Sequence, residues 1–351
     1  MAALLGISLI LAACSGTGGA STAPSVAAGT AAPSAGAPSA APSAAEKTLE
    51  IAYISFAVAN SYDAPMLAAA QGAAAAGNAK LTVFDGNLDP AAQTKQLQDA
   101  TASGKFDAII TQPVFGPALL PGVKDAIAAG IAVGNIDQIL GADNTTANSQ
   151  VEGLSANVAF VPSTLGTKIG GLVVKACAEI AANPCNVGYI YSVKAAALDT
   201  TLRKAFDEAI ASHPEIKVVA EGESFYATAL GLKASQDMLA AHSDLSLIMG
   251  ADQAITGAVQ AVAASPLKGK VVLIGYGGGT VALQGIASGE RYGTVMQMPA
   301  TEGRLGTEYL IKAIRTGTPV PGVDPLDSLP DGGVVTKANV QTFLPLTEWP
   351  G

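Results

Sequence analysis

After Lys47 the sequence alternates short apolar runs with alanine-rich helical stretches, and this alternation restricts the fold more than any other feature. Strand-like runs at 49–54, 81–84, 107–111 and 131–136 are separated by helical stretches near 65–78, 91–104 and 116–129. Runs so short and apolar suit strands buried on both faces, and the intervening helices supply the crossovers that a parallel sheet requires. Gly77, Gly104 and Gly130 fall near the expected helix C-termini. The alternation pauses over 138–162, a long polar connection with one short apolar run, then restarts with a helix at 163–182. Strands follow at 186–191, 216–220, 245–249, 271–275 and 292–296, and a last helix at 300–315.

At 351 residues the chain exceeds what one hydrophobic core usually serves. The pattern therefore predicts an α/β protein of two doubly wound parallel-sheet lobes with a cleft between them. The expected first lobe is 47–161, completed by about 298–326, and the second is 162–297, completed by about 327–348. Within the Pro-, Gly- and Asp-rich tail from 317 to 351, Gly333 to Thr336 and Asn339 to Phe343 suit a final strand and turn.

The first fourteen residues, MAALLGISLILAAC, carry an apolar core too short to span a bilayer, which needs roughly twenty residues. It reads as an export signal, although no basic residue precedes it. Leu11, Ala12, Ala13 and Cys14 resemble the lipobox of bacterial lipoproteins, which places lipidation on Cys14. Residues 15–46 are almost wholly Ser, Ala, Gly, Pro and Thr and bury too little apolar surface to fold. They read as a disordered tether of roughly 30 Å average reach. Two or more acyl chains on Cys14 would anchor the body to the outer face of the bacterial cell membrane, in an extracytoplasmic location. Cys177 and Cys185 bracket a helix-to-strand turn. In an oxidising compartment they are expected to form a disulfide.

Only 13% of residues are charged and the net charge is -9, without a basic run. Nucleic acid is therefore not an expected partner, because phosphate backbones require clustered Lys and Arg. The two histidines, His213 and His242, fall near predicted helix ends and read as caps. No zinc spacing, nucleophile elbow or phosphate loop occurs, so neither a cofactor nor a metal is expected. The glycine-dense run Gly275 to Gly279 follows a strand and reads more simply as a tight turn than as a phosphate site.

The residues just beyond the apolar strands are more informative. Ser55, Asn60, Tyr62 and Asp63 follow the first strand, and Gln112, Asp137, Gln138, Asp252, Tyr276 and Gln297 follow later ones. Open α/β sheets bind ligands beyond the carboxyl ends of their strands. Each residue alone suits an ordinary loop. Their recurrence in both halves points to one cleft in which amides and carboxylates meet hydroxyls and rings cover apolar faces.

Several stretches, in order, resemble periplasmic sugar-binding proteins of the ribose-binding type, substrate-binding components of ABC importers, over roughly residues 48–343. Asn60-Ser61-Tyr62 is similar to that family's Asn-Pro-aromatic loop, and Val133 to Asp137 to its strand ending in a ligand-binding Asp. Leu165 to Gly171 resembles the helix opening its second lobe, and Gly250 to Ala258 its Asn-Asp segment. Ile274-Gly275-Tyr276 resembles its Gly-Phe-Asp segment, and Thr294 to Gln297 the strand carrying a ligand-binding Gln.

The resemblance implies a type I periplasmic binding protein fold with three hinge crossings, closing on its ligand as a monomer and presenting it to an ABC transporter permease. It implies that Ser55, Asn60, Asp137 and Gln297 hydrogen-bond hydroxyls of a monosaccharide or related polyol. Tyr62, Tyr276 and Phe225 or Tyr226 would pack on its ring. The family's arginines are replaced by Gln138 and, in the second lobe, fall near Asp199 and Thr200. Its Asn before Asp252 is Ala251, and its Asp after the aromatic is Gly277. Losing two guanidinium forks and a carboxylate points to a ligand other than ribose. A solute-binding protein for an ABC importer is the leading expectation, and a sensory module presenting the ligand to a chemoreceptor or membrane kinase is the alternative. A glycosidase would need paired carboxylates across the cleft. Asp137 and Asp252 are its nominal candidates.

Overall fold

The computed structural model describes residues 46–320 and 322–351. The export signal, Cys14 and all of the expected tether but Glu46 lie outside the described residues. From the start of the folded body the elements run β1 (Leu49–Ser55), α1 (Asp63–Ala76), β2 (Ala79–Asp85), α2 (Pro90–Ala102), β3 (Ala108–Thr111), α3 (Gly116–Ala128), β4 (Ala132–Asp137) and β5 (Ala156–Ala159). These strands make a five-stranded sheet in the order β2-β1-β3-β4-β5, parallel throughout.

The second series is α4 (Pro162–Glu179), β6 (Cys185–Tyr191), α5 (Ala197–Ile210), β7 (Ile216–Glu223), α6 (Thr228–Ala241), β8 (Leu247–Ala251), α7 (Asp252–Ala263), β9 (Val272–Gly277), α8 (Thr280–Ser288) and β10 (Gly293–Met296). After α9 (Pro299–Thr316), the tail adds β11 (Val334–Thr336) and α10 (Val340–Phe343). The second sheet has six strands in the order β11-β10-β9-β8-β6-β7. It is parallel except that β11 runs antiparallel to β10, with Gly293 opposite Thr336.

Both sheets are covered on both faces, as their continuous apolar strands require. On one face of the first sheet Met66 and Ala70 of α1 pack with Leu310 and Ile311 of α9 against Ile51, Tyr53, Ile110 and Ile136. On the other, Leu97 of α2 and Leu119 and Val123 of α3 cover Ala52, Ile54, Ile109 and Val133. In the second lobe Leu165, Ile169 and Val173 of α4 join Leu202 and Phe206 of α5 on one face. Met238 of α6 with Ile255 and Val262 of α7 cover the opposite one. Each large apolar side chain so buried contributes about 1.5–3 kcal/mol.

The chain passes between the sheets three times: from β5 to α4, from β10 to α9, and again where the tail leaves Val323. The α9 helix returns to the first sheet although it follows a strand of the second. Val323 bridges to Val158, and the Asp324 carboxylate accepts from the Val161 N–H at 3.1 Å and the Leu326 N–H at 2.9 Å. These bonds tie two of the crossings side by side, and the expected two-lobed, three-crossing architecture is what the chain adopts.

Two features differ from the sequence reading. The short apolar run inside 138–162 is a strand, β5, whose second residue is the buried Asn157. Thr111, Asn135 and Asn157 sit opposite one another on β3, β4 and β5. The Thr111 hydroxyl donates to Asn135 Oδ1 at 3.0 Å, and Asn135 Nδ2 donates to Asn157 Oδ1 at 2.9 Å. A polar ladder thus satisfies groups that break the apolar pattern in the sequence. The tail strand expected at Gly333 to Thr336 does form, as β11, and the other difference is only that it runs antiparallel to β10 at the sheet edge. Cys177, in α4, and Cys185, which opens β6, are joined as a disulfide with their Cα atoms 5.8 Å apart. Among the described residues no helix is long and apolar enough to cross a membrane.

Candidate ligand-binding site

Where the two lobes face each other, a cavity with about 420 Å³ of space between atoms, part of it open to solvent, is walled by residues from both sheets. The first lobe contributes Phe56 beyond β1, Asn60, Tyr62 and Asp63 at the start of α1, and Asp137 and Gln138 at the end of β4. The second contributes Tyr226 before α6, Ala251 and Gln253 around the β8–α7 junction, Tyr276 and Gly277 of β9, and Gln297 after β10. Phe160, in the first crossing, and Trp349, near the end of the tail, complete the wall.

Two pairs of rings meet across the interface. Phe56 and Tyr226 stand edge to face with centroids 6.2 Å apart, and Tyr62 and Trp349 do so at 5.4 Å. Such geometry matches the quadrupoles of the rings and adds roughly 0.5–1.5 kcal/mol per pair to simple burial. The Trp349 indole N–H also donates to the Gly277 carbonyl at 2.9 Å. A Cβ on Gly277 would lie 2.6 Å from the indole, and the φ of +133° there favours glycine. The glycine-dense turn is therefore a seat for the tail's aromatic ring.

The polar floor of the first lobe is organised by Gln112, which is fully buried. Its Nε2 donates to both Asp63 and Asp137, the latter at 3.2 Å, while its Oε1 accepts from the Phe56 N–H at 3.2 Å. Gln93 in turn donates to the carbonyls of Ser55 and Gln112 at 2.7 and 2.8 Å, fixing the loops after β1 and β3. Burial and the neighbouring Asp137 push the Asp63 carboxyl well above the usual carboxylate range. Burial likewise raises Asp137 to about 7, against the opposing effect of the Gln112 hydrogen bond. In the second lobe the Tyr276 hydroxyl and the Ser192 hydroxyl are hydrogen-bonded at 2.6 Å. Asp199 accepts from the N–H groups of Ser192 and Val193, and burial raises it to about 6.

Asp137 has φ +69° and Tyr226 φ +55°, both in the left-handed region that non-glycine residues rarely occupy. An aspartate tolerates this conformation better than a tyrosine does. Each such residue costs on the order of 1–3 kcal/mol, and residues of this kind cluster where the surroundings hold a side chain in a set direction.

The structure brings Asn60, Tyr62, Asp137, Gln138, Tyr226, Tyr276 and Gln297 to one wall, as the positions beyond the strands suggested. Four other expected site residues are not on it. Ser55 is buried behind the wall, its carbonyl held by Gln93 and Gly86, because it is the last residue of β1 and packs within the sheet. Thr200 lies on α5 and returns its hydroxyl to the helix carbonyls of Ala196 and Ala197. Phe225 is 47% exposed and lines a neighbouring pocket that shares Phe56, Gln138 and Tyr226 with the cavity. Asp252 is buried below β9, where it accepts from the Gly278 N–H at 2.6 Å and the Thr294 hydroxyl at 3.2 Å, and faces Arg291 at 3.6 Å. It is a bracket between strands, which also removes it from the two-carboxylate arrangement that a glycosidase would need. The sequence reading missed Phe56, Phe160, Gln253 and Trp349. The signal for Trp349 was present, because it is the one tryptophan of the chain.

Comparison with known proteins bears on this arrangement. The ribose import binding protein RbsB of Salmonella typhimurium is 25% identical over 248 residues, covering 70% of this chain and 78% of that protein. The D-allose-binding periplasmic protein of Escherichia coli is 26% identical over 241 residues, 67% of this chain and 73% of that one. Among solved structures, an ABC transporter solute binding protein from Mycobacterium smegmatis with bound glycerol superposes with a TM-score of 0.73 at 25% identity. The match covers 87% of this chain and all of that one, at 100%. A periplasmic solute binding protein from Actinobacillus succinogenes with bound D-allose gives a TM-score of 0.70 at 25% identity over 84% of this chain and 99% of that one. A profile of the periplasmic binding protein domain matches residues 51–318, well over half of the sequence, and the chain belongs to that family.

Proposed function

We propose that the protein is an extracytoplasmic solute-binding lipoprotein that captures a small hydroxylated ligand, a sugar or related polyol, between its lobes and delivers it to the permease of an ABC importer. The observation that carries this reading is a cavity walled by residues of both lobes, since such a site is complete only when the lobes are together. Relatives named for ribose and D-allose, and a similar structure holding D-allose, support the ligand class. The lipobox at Leu11 to Cys14 supports a membrane anchor.

In this reading Asn60, Asp137, Gln138 and Gln297 hydrogen-bond the ligand's hydroxyls, and Tyr62, Tyr226, Tyr276 and Trp349 cover its apolar faces. A hydroxyl left without a partner in a desolvated cleft is costly, so the site should discriminate among similar polyols. The test is thermal unfolding of the purified protein against a panel of sugars and polyols. A ligand at about a thousand times its dissociation constant adds roughly 4 kcal/mol, enough to raise Tm by several degrees. Absence of a shift with every panel member contradicts the reading. Loss of uptake of the stabilising ligand in a deletion strain checks the transport step, and loss of membrane retention in Cys14→Ala checks the anchor.

A further inference from the structure

The charge inventory of the cavity narrows the ligand's chemistry, an argument that rests on the solute-binding reading above. Asp63 and Asp137 both stand on the wall, and no Lys, Arg or His does. The carboxylates share one amide nitrogen, that of Gln112, as donor. Arg291 is turned to Asp252 behind the wall. A third carboxyl, Glu302 in the first turn of α9, is fully buried, and neither of its oxygens has a hydrogen-bond partner. The buried Tyr62 hydroxyl on the wall also lacks one. Burial raises Glu302 well above the ordinary carboxylate range, with Asp137, Asp324, Glu348 and Asp63 adding to the effect.

Three carboxyls withdrawn from water without a cation are unfavourable as anions. A neutral polyol can exchange hydrogen bonds with the protonated carboxyls but supplies no charge that would favour their ionised form. Among the described residues, no three His, Cys, Asp or Glu side chains are placed to hold a metal ion. The wall instead carries Phe56, Tyr62, Phe160, Tyr226, Tyr276 and Trp349, and the faces of such rings attract organic cations. Carboxylates on one side and rings around the rest are the two features that recognise an ammonium group attached to a hydroxylated body.

We propose that the ligand of this cavity carries a positively charged nitrogen as well as hydroxyls, as an amino sugar or aminopolyol does, with the nitrogen seated against Asp63 and Asp137. Binding would then complete the ionisation of these carboxyls, and protons would leave as the cation enters.

The experiment is calorimetric titration of the purified protein at pH 7 with matched probes: D-glucosamine against D-glucose and N-acetyl-D-glucosamine, and N-methyl-D-glucamine against D-sorbitol. The expected result is that a cationic member binds about tenfold or more tightly than its neutral counterparts. Its measured heat should vary with the ionisation enthalpy of the buffer, because protons are released. In Asp137→Asn and in Asp63→Asn, each checked for folding by its melting curve, that preference should fall towards parity. A neutral parent binding as tightly as its cationic partner overturns the inference and leaves the solute-binding reading standing. A cationic preference that neither substitution reduces also overturns it. No binding by any of these probes overturns the inference, and the solute-binding reading is then decided by the thermal-unfolding panel.

Discussion

Asp137 concentrates the chemistry of the site in one side chain. It ends β4 in a left-handed conformation, accepts from Gln112, and is raised by burial to about 7. The folded, empty protein therefore retains a proton that the unfolded chain releases near the ordinary carboxylate value of 3.8. Stability from this group is full below about pH 4, falls as pH rises towards 7, and is level above that. Asp63 from α1 and Glu302 from α9 face the same region and are raised by burial in the same direction, as is the Tyr53 hydroxyl of β1. Asp137→Asn should therefore stabilise the empty protein at pH 8 by on the order of 2 kcal/mol and change little at pH 4, as read from melting curves at the two pH values. Tyr276→Phe removes the hydrogen bond to Ser192 and should cost about 1 kcal/mol, measured by urea unfolding.

At this scale strand-end position was a good guide to the wall and a poor guide to direction. Asp137, Tyr276 and Gln297 lie on the cavity because they end or follow strands. Ser55 and Asp252 occupy comparable places in the sequence but point into the sheet and beneath it. A strand's end fixes where the backbone arrives, whereas the face a side chain takes depends on the pleat and on partners such as Gln93 and Arg291. Trp349 reaches the wall from a tail whose course no local pattern encodes.

The elements themselves were legible because a strand buried on both faces leaves an unbroken apolar run and its helix a periodic one. β1, β3, β4 and β6 through β10 were all found within a few residues of their observed limits. β5 escaped for a physical reason, since Asn157 interrupts its apolar run and is satisfied only by Asn135 on the neighbouring strand and by the Ala147 carbonyl. Asn157→Ala should accordingly cost about 1–3 kcal/mol by leaving Asn135 Nδ2 without that acceptor, measured by denaturant unfolding. The pairing of Cys177 with Cys185 closes a short loop between α4 and β6. Replacing both with Ser should lower stability by roughly 2–3 kcal/mol, and reductant should reproduce the loss in the parent protein.

For the whole molecule, function depends on three crossings that let two separately packed lobes share one site. Each lobe has its own hydrophobic clusters on both sheet faces, and beside the cavity the lobes meet through the ring pairs Phe56–Tyr226 and Tyr62–Trp349. Interfaces of this limited kind permit relative domain motion. A bound ligand that touches both walls should favour the closed arrangement in proportion to its differential affinity. The position of Trp349 makes this directly observable, because the chain has one tryptophan and it stands on the cavity wall against Tyr62. The decisive measurement is intrinsic tryptophan fluorescence during titration with a ligand whose binding calorimetry has established. The account predicts a saturable change in emission at one ligand per protein, with the same dissociation constant as the calorimetric one. Calorimetric binding that leaves the emission of Trp349 unchanged would place the ligand elsewhere and contradict it.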